Sequence, residues 1–264
     1  MITDAQRSKI ASDLKSLFKI SNDSDYEIAI DGSVAVFGDC IKNSNVSGVE
    51  MLPITFSAVD GEFNVSGMGL TSLRGCPRTV ETVFSANDNP GLVNLDGAPD
   101  TVGECVELHG CGLESLEGIP RNAIEYVVSS NNLKSLAGIH SDKKSISIDA
   151  QGNQLESLIG CPPNVVTLDI TDQTPGISSL QGIPRSIKHI GIDESAPVLL
   201  LLTTSIPSFV PDNGKTYLKM VGKKADLQKT VMSMLQQYHG AGHDGVVPLA
   251  ARLMKANLRN YVRL

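Results

Sequence analysis

A short apolar phrase recurs along the middle of the chain, with Leu or Ile at its first position, Leu at its fourth and Gly at its sixth. The six clear copies begin at Leu70, Leu92, Leu113, Leu133, Leu155 and Ile177. Degenerate copies begin at Val49 and Val198, and the successive starts are 21, 22, 21, 20, 22, 22 and 21 residues apart. Self-similarity at a fixed period of this length predicts a stack of similar units, each of which buries its apolar side against its neighbours.

Alternating apolar and polar residues precede each phrase and predict one β-strand per repeat. We place an asparagine-type position, whose side chain would bond neighbouring backbone amides, shortly before each phrase, at Met68, Asp88, Cys111, Asn131, Asn153, Gln173 and Ser195. Counting back three and five residues gives the predicted inward-facing strand positions: Phe63 and Val65, Val83 and Ser85, Val106 and Leu108, Tyr126 and Val128, Ile148 and Ala150, Leu168 and Ile170, Ile190 and Ile192. All but Ser85 are apolar, as a buried strand face requires.

Together, the leucine spacing and the strand pattern predict a leucine-rich-repeat solenoid. Its parallel strands would form a concave face. The Gly of each phrase and the Pro that usually follows two residues later favour tight, mostly non-helical returns. A solenoid of this kind offers a long binding surface and seldom carries catalysis.

The two ends of the chain depart from the repeat and predict caps. Residues 1–44 predict an N-terminal cap, with a helix over 4–20 and then a β-hairpin turning at Asp31-Gly32. Residues 45–202 hold the repeats. Residues 203–264 predict a C-terminal cap with two helices, over about 226–238 and 247–262.

Composition fits a thin core and an intracellular setting. Aromatic residues make up 4% of the chain and Trp is absent, so stacked Leu, Ile and Val must fill the interior. No apolar run is long enough to cross a membrane, and the charged first segment is unlike a secretory signal. Five cysteines without paired spacing favour a reducing cytoplasm over a disulfide scaffold.

Charge divides the chain unevenly. Residues 1–214 carry 13 basic and 27 acidic side chains, a net of −14, whereas residues 215–264 carry 9 and 2, a net of +7. Within the basic end, Arg252, Lys255 and Arg259 share one helix face and form a candidate nucleic-acid patch. The alternative is a solvated basic cap held against an acidic solenoid.

Motifs that carry catalysis are missing from the sequence, and we expect no enzyme activity, cofactor or metal. His239 and His243 have a ligand-like spacing, but zinc needs three or four protein ligands and nothing nearby completes a set. Cys105 and His109 lie in one predicted strand, yet nothing orients that histidine for nucleophilic catalysis.

Outward strand positions provide the candidate binding site. Glu107, Asp149, Asp169 and Asp193 form an acidic column with Glu125 beside it, and Phe84 and Val127 are apolar where solvation alone would not need them. The predicted partner-binding residues are Phe84, Glu107, His109, Glu125, Val127, Asp149, Gln151, Asp169, Thr171 and Asp193. This face would suit a protein with a basic patch and a small apolar anchor. The alternative is that the acidic residues only keep the solenoid in solution.

The phrases LTSLRGCP, LESLEGIP and LESLIGCP resemble leucine-rich-repeat proteins of large tailed bacteriophages, as does SSNNL at residues 129–133. The likeness extends to DGSVAVFGD before the first repeat and to the closing MLQQYHGAGHDGVVPLAARLMKANLRNYVRL. The resemblance implies a phage-encoded solenoid in the cytoplasm of an infected bacterium, and it implies no catalytic residues. The chain departs from the pattern by lacking most of the ladder asparagines and by having His140 in place of Pro.

Similarity to leucine-rich effectors with ubiquitin-ligase domains stops at the repeats, because no Cys follows Cys161. Three functional hypotheses stay open. The first is a non-enzymatic binding module that engages a host or viral protein through its acidic concave face. The second is a nucleic-acid-associated scaffold that uses the basic C-terminal helices, and the third is a structural component of the virus particle.

Overall fold

The computed structural model describes residues 1–193, 217–221, 233–234, 237–238 and 243–256. The described residues form turns of a parallel-strand β-solenoid, with few helices among them. The chain divides into an N-terminal unit, Met1–Asn132 with Gly138–Lys143, and a C-terminal unit, Leu133–Ala137 with Lys144–Leu264. Among the described residues, no helix is long and apolar enough to cross a membrane.

The N-terminal unit begins with the predicted helix and hairpin. Helix α1 (Asp4–Leu17) starts at a capping box, in which the Gln6 amide donates to Thr3 Oγ1 and the Thr3 amide donates to Gln6 Oε1. A short 3₁₀ turn (Asp23–Asp25) leads into β1 (Tyr26–Ile28). Strand β1 pairs antiparallel with β2 (Val34–Val36) across the Asp31-Gly32 turn, so the hairpin is confirmed.

The helix ends three residues before its predicted limit because Phe18 joins the solenoid. Phe18 adopts an extended backbone and forms an antiparallel bridge with Lys42. Its ring is buried against Phe56 and Phe63, with centroids 5.4 and 5.9 Å away. Aromatic side chains therefore concentrate where the N-terminal segment meets the first turns.

Two parallel sheets run through the N-terminal unit. One holds β3 (Cys40–Ile41), β5 (Phe63–Asn64), β7 (Val83–Ser85), β9 (Cys105–Glu107) and β10 (Glu125–Val127), paired in that order. The other extends from the hairpin through β4 (Phe56–Val59), β6 (Thr79–Val80) and β8 (Thr101–Val102). The expectation of one strand per repeat is therefore wrong here, because the returns also pair.

The C-terminal unit continues with β11 (Ile146–Asp149), β12 (Val165–Asp169) and β13 (His189–Asp193), which pair parallel. Strand β14 (Tyr217–Val221) pairs parallel with β13 over five positions, although it lies beyond the predicted end of the repeats. Helix α2 (His243–Lys255) covers part of the second predicted C-terminal helix, with Leu249 and Leu253 buried. The first predicted C-terminal helix lies mostly outside the described residues.

Repeat leucines and close-packed turns form the core. The first and fourth residues of the phrases are buried, as Leu70 with Leu73 and Leu113 with Leu116 illustrate. Gly138 shows why the sixth position is Gly: its φ is +113°, and a Cβ there would clash with the backbone oxygen of Leu116. Neighbouring turns thus pack more closely than a side chain at the sixth position would allow.

A ladder of buried amides fills the asparagine-type position more completely than the sequence predicts. Asn89, Asn131, Asn153 and Gln173 each bond backbone groups of their own and a neighbouring turn. The assignment of this position to Asp88 is wrong by one residue, because only Pro90 and Gly91 separate the buried amide from Leu92. The corresponding position predicted at Ser195 lies outside the described residues.

Candidate binding surface

In each unit, the outward side chains of the parallel strands form a surface. The N-terminal strand face consists of Glu62, Asn64, Ser66, Val83, Ser85, Asn87, Cys105, Glu107, His109, Glu125, Val127 and Ser129. The C-terminal strand face consists of Ser147, Asp149, Gln151, Thr167, Asp169 and Thr171. Every one of these residues lies on a strand or within two residues of one.

Phe84 corrects the predicted surface. It pairs with Phe63 on one side and Val106 on the other, and its side chain is 0% exposed. Its ring stacks on that of Phe63 at a centroid distance of 6.3 Å, so it belongs to the core. The predicted placement of Phe84 on the surface is wrong because a one-residue change in register exchanges inward and outward positions. Val83, predicted to point inward, takes the outward position and is half-buried.

Glu107 and His109 lie on a hydrogen-bonded row of the N-terminal strand face. Asn87 Nδ2 donates to Glu107 Oε2 at 3.0 Å, and the His109 backbone amide donates to Asn87 Oδ1 at 2.7 Å. The His109 ring Nδ1 lies 3.0 Å from the hydroxyl of Ser129. Glu107 is half-buried and His109 is exposed. The row holds polar groups in fixed positions at the surface.

Glu125 and Val127 are the outward residues of β10. Glu125 is level with Cys105 and Val127 is level with Glu107. Burial raises the pKa of the Cys105 thiol to about 12, and the carboxylates of Glu125, Glu107 and Glu104 contribute further. A thiol with such a pKa is protonated at neutral pH, so Cys105 behaves as a small apolar group beside the carboxylates of Glu125 and Glu107.

Asp149 and Asp169 face each other on the C-terminal strand face. They are partners in the β11–β12 register, and both are half-buried. Asp149 Oδ1 accepts from the Gln151 amide at 3.1 Å, and Asp169 Oδ1 accepts from the Thr171 amide at 3.0 Å. Gly191 follows in the β13 register, and a Cβ there would lie 2.8 Å from the Asp169 carboxyl carbon. The Asp169 carboxylate therefore lies against bare backbone.

Two predicted residues of the C-terminal strand face differ in accessibility. Gln151 is half-buried and its Nε2 donates to Thr171 Oγ1 at 2.6 Å. Thr171 is 0% exposed, and its hydroxyl donates to Asp169 Oδ1 at 2.7 Å. Thr171 therefore supports the carboxylate, and its predicted place among accessible residues is wrong. Asp193 ends β13, and the structure gives its backbone position alone.

The basic patch is described in part. Arg252 and Lys255 are exposed on α2, and Arg252 donates to the side-chain oxygen of Gln237. Arg259 lies outside the described residues. Within the described part of the chain, no group of three or more His, Cys, Asp or Glu side chains could hold a metal ion.

The carboxylates of both strand faces have no counterion among the described residues. The salt bridges in that part of the chain are Lys9–Asp13, Lys15–Asp23 and Arg78–Asp100, all away from the strand faces. Sequence reasoning placed Glu107, Glu125, Asp149 and Asp169 in the binding site. It gave Glu62 an outward position without including it in that site, and it missed Val83. Assigning the asparagine-type position to Asn89 and not to Asp88 would have given the correct register of β7. That register places Val83 on the outward face.

Comparison of the chain with protein-family models, with curated proteins and with solved structures finds no match in any of the three.

Proposed function

We propose that this protein is a non-enzymatic protein-binding module whose strand faces engage a basic surface of a partner protein. The observation that carries the proposal is the carboxylate pair of Asp149 and Asp169, opposite each other on neighbouring strands. Like charges in this arrangement destabilise a sheet, and a cationic partner would relieve the repulsion. The same argument extends to the N-terminal strand face, where Glu107 and Glu125 also have no counterion among the residues that the structure describes.

Pre-organisation supports the proposal. Hydrogen bonds from Asn87 and Thr171 hold the carboxylates of Glu107 and Asp169 before any partner arrives. Binding then orders fewer side chains, and each long side chain left free to move would otherwise cost about 0.5–1.5 kcal/mol on association.

Leucine-rich-repeat identity is part of the proposal. It is supported by the period of 20 to 22 residues, the buried repeat leucines and the buried amide ladder. In this view α1 and the hairpin cap one end and the C-terminal helices cap the other. The resemblance to phage proteins extends the proposal to a phage-encoded protein that acts on a host or viral protein in the cytoplasm of an infected bacterium.

Capture on immobilised protein tests the proposal. Bacterial lysate, with and without nuclease treatment, is passed over the wild type, over Asp149→Asn/Asp169→Asn and over Glu107→Gln/Glu125→Gln. These changes remove charge but keep the acceptor oxygens. We expect one discrete protein to be retained by the wild type and reduced about tenfold or more by at least one strand-face variant, as for charged contacts across an interface.

Glu114→Gln/Glu117→Gln is the matched control, since both residues are exposed on a return and the net charge changes equally. The control variant should retain the protein like the wild type. If all variants, including the control, retained equally little of the captured protein, retention would depend on net charge alone, which would contradict the proposal. Nuclease-sensitive material lost in Arg252→Ala/Lys255→Ala would support the nucleic-acid hypothesis instead.

Asp149→Asn should also stabilise the folded protein. The amide keeps an oxygen for the Gln151 amide and removes the repulsion from Asp169, so the free energy of unfolding should rise by about 0.2–1 kcal/mol. Urea unfolding followed by circular dichroism measures the change, and added salt should shrink it because salt screens the repulsion in the wild type. A loss of stability would mean that the two carboxylates do not repel each other measurably.

A further inference from the structure

One row across the N-terminal strand face has an acidic residue at each end and two apolar residues between them. Strand β7 pairs with β9 through Val83 and Cys105, and β9 pairs with β10 through Cys105 and Glu125. On the other side, Phe63 pairs with Phe84, which brings Glu62 level with Val83. The row therefore reads Glu62, Val83, Cys105 and Glu125, from one strand to the next.

The side chains of this row are accessible and fixed by the sheet. Glu125 is exposed, and the other three are half-buried. Asn64 Nδ2 donates to Glu62 Oε1 at 2.8 Å, which holds that carboxylate at its end of the row. Val83 and the protonated thiol of Cys105 leave an apolar gap between the two carboxylates.

The length of the row matches an extended peptide. Neighbouring strands lie about 4.8 Å apart, so three strand spacings separate Glu62 from Glu125 by about 14 Å. An extended chain rises about 3.4 Å per residue, so residues four positions apart span about 14 Å as well. Side chains of an extended chain alternate, so its first, third and fifth residues all face the row.

We infer that the N-terminal strand face binds an extended peptide segment that crosses the strands, with two basic residues four positions apart and an apolar residue midway. The inference rests on the proposed function and names the chemistry of its partner. The basic residues lie over Glu62 and Glu125, and the apolar residue lies over Val83 and Cys105.

Surrounding charges favour the same occupant. Glu104 directly precedes β9 and Glu107 ends it, and both add negative charge near Cys105. Lys42, which directly follows β3 of the same sheet, donates to the backbone oxygens of Val46 and Gly67 at 3.2 and 3.4 Å. A basic segment therefore meets carboxylates at both ends of the row and beside Cys105, whereas an acidic or phosphorylated segment would be repelled.

Fluorescence anisotropy with two synthetic peptides and the full-length protein tests the inference. The matched probe has the order lysine, threonine, leucine, threonine, lysine. Its isomer has the order threonine, lysine, leucine, lysine, threonine, with the same flanks, label and charge. At an ionic strength of about 0.02 M, we expect the matched peptide to bind about fivefold or more tightly than the isomer.

Variants locate the contact. Glu62→Gln/Glu125→Gln should lower the affinity for the matched peptide about tenfold, because two ion pairs are lost. The matched peptide should then bind no more tightly than the isomer. Val83→Thr keeps the side-chain shape and should lower the affinity for the matched peptide about threefold, because apolar contact is lost. The return-face variant Glu114→Gln/Glu117→Gln should change binding less than about twofold, since it removes the same charge elsewhere.

Equal affinity for the two peptides, absence of saturable binding, or equal loss in both charge variants would each overturn the inference. These results would leave the proposed function intact if lysate capture still depended on the strand faces. Conversely, register-dependent peptide binding without any captured protein would support this site and contradict the wider proposal.

Discussion

Asn131→Ala should lower the free energy of unfolding by about 3–5 kcal/mol, because it leaves several buried backbone groups without partners. In the native structure Asn131 Nδ2 donates to the backbone oxygens of Leu108, Val128 and Ser129 at 2.8, 3.0 and 3.1 Å. Its Oδ1 accepts from the Leu113 amide at 3.1 Å. Since Asn131 is 6% exposed, little water can replace these bonds.

Guanidinium unfolding followed by circular dichroism gives the measurement, and a total stability of about 5–15 kcal/mol makes the expected loss easy to detect. Asn94→Ala is the matched control, because Asn94 is exposed and its Oδ1 accepts a single bond, from the Asp96 amide at 3.0 Å. That change should cost less than about 1 kcal/mol. Similar costs for the two variants would show that the ladder does not hold the turns together.

Alkaline pH should destabilise the protein through its buried thiols, and Cys76→Ala should reduce the effect. Burial raises the pKa of Cys76 in the folded state, whereas an unfolded chain releases this proton near pH 8.5. Above that pH the unfolded state binds fewer protons than the folded state, so stability falls as pH rises. The thiol contributes nothing to the pH dependence below about pH 8.

The wild type should therefore lose stability relative to Cys76→Ala at pH 9.5 and lose more at pH 10.5, on the order of 1 kcal/mol for each pH unit above the unfolded-state pKa. Unfolding curves of both proteins are measured under reducing conditions from pH 7.5 to 10.5. The contributions of the other titrating groups are the same in both proteins and cancel in the difference. Alanine is a suitable replacement because Ala98 holds the same position in the next repeat. Parallel curves would mean that Cys76 titrates normally in the folded protein.

Much of the candidate surface could be predicted from the sequence, and the exceptions have a common cause. Glu107, Glu125, Asp149 and Asp169 lie on outward positions as the alternation of apolar and polar residues predicts. Phe84 and Val83 exchange places because the loop before Leu92 is one residue shorter than assumed. Thr171 is on the expected side, but it is buried, and its hydroxyl bonds to Asp169 and Gln151. Periodicity gives a direction for each side chain and does not give its accessibility.

By itself, the sequence determined the repeating turns, the buried leucines, the capped first helix and the hairpin at Asp31-Gly32. These features depend on local spacing, capping residues and turn residues, which act over a few positions. Tertiary structure alone decided the register of β7, the second sheet formed by the returns and the pairing of β14 with β13. Those features depend on hydrogen bonds between backbone groups about twenty residues apart or more, and every residue type except proline offers the same backbone donor and acceptor.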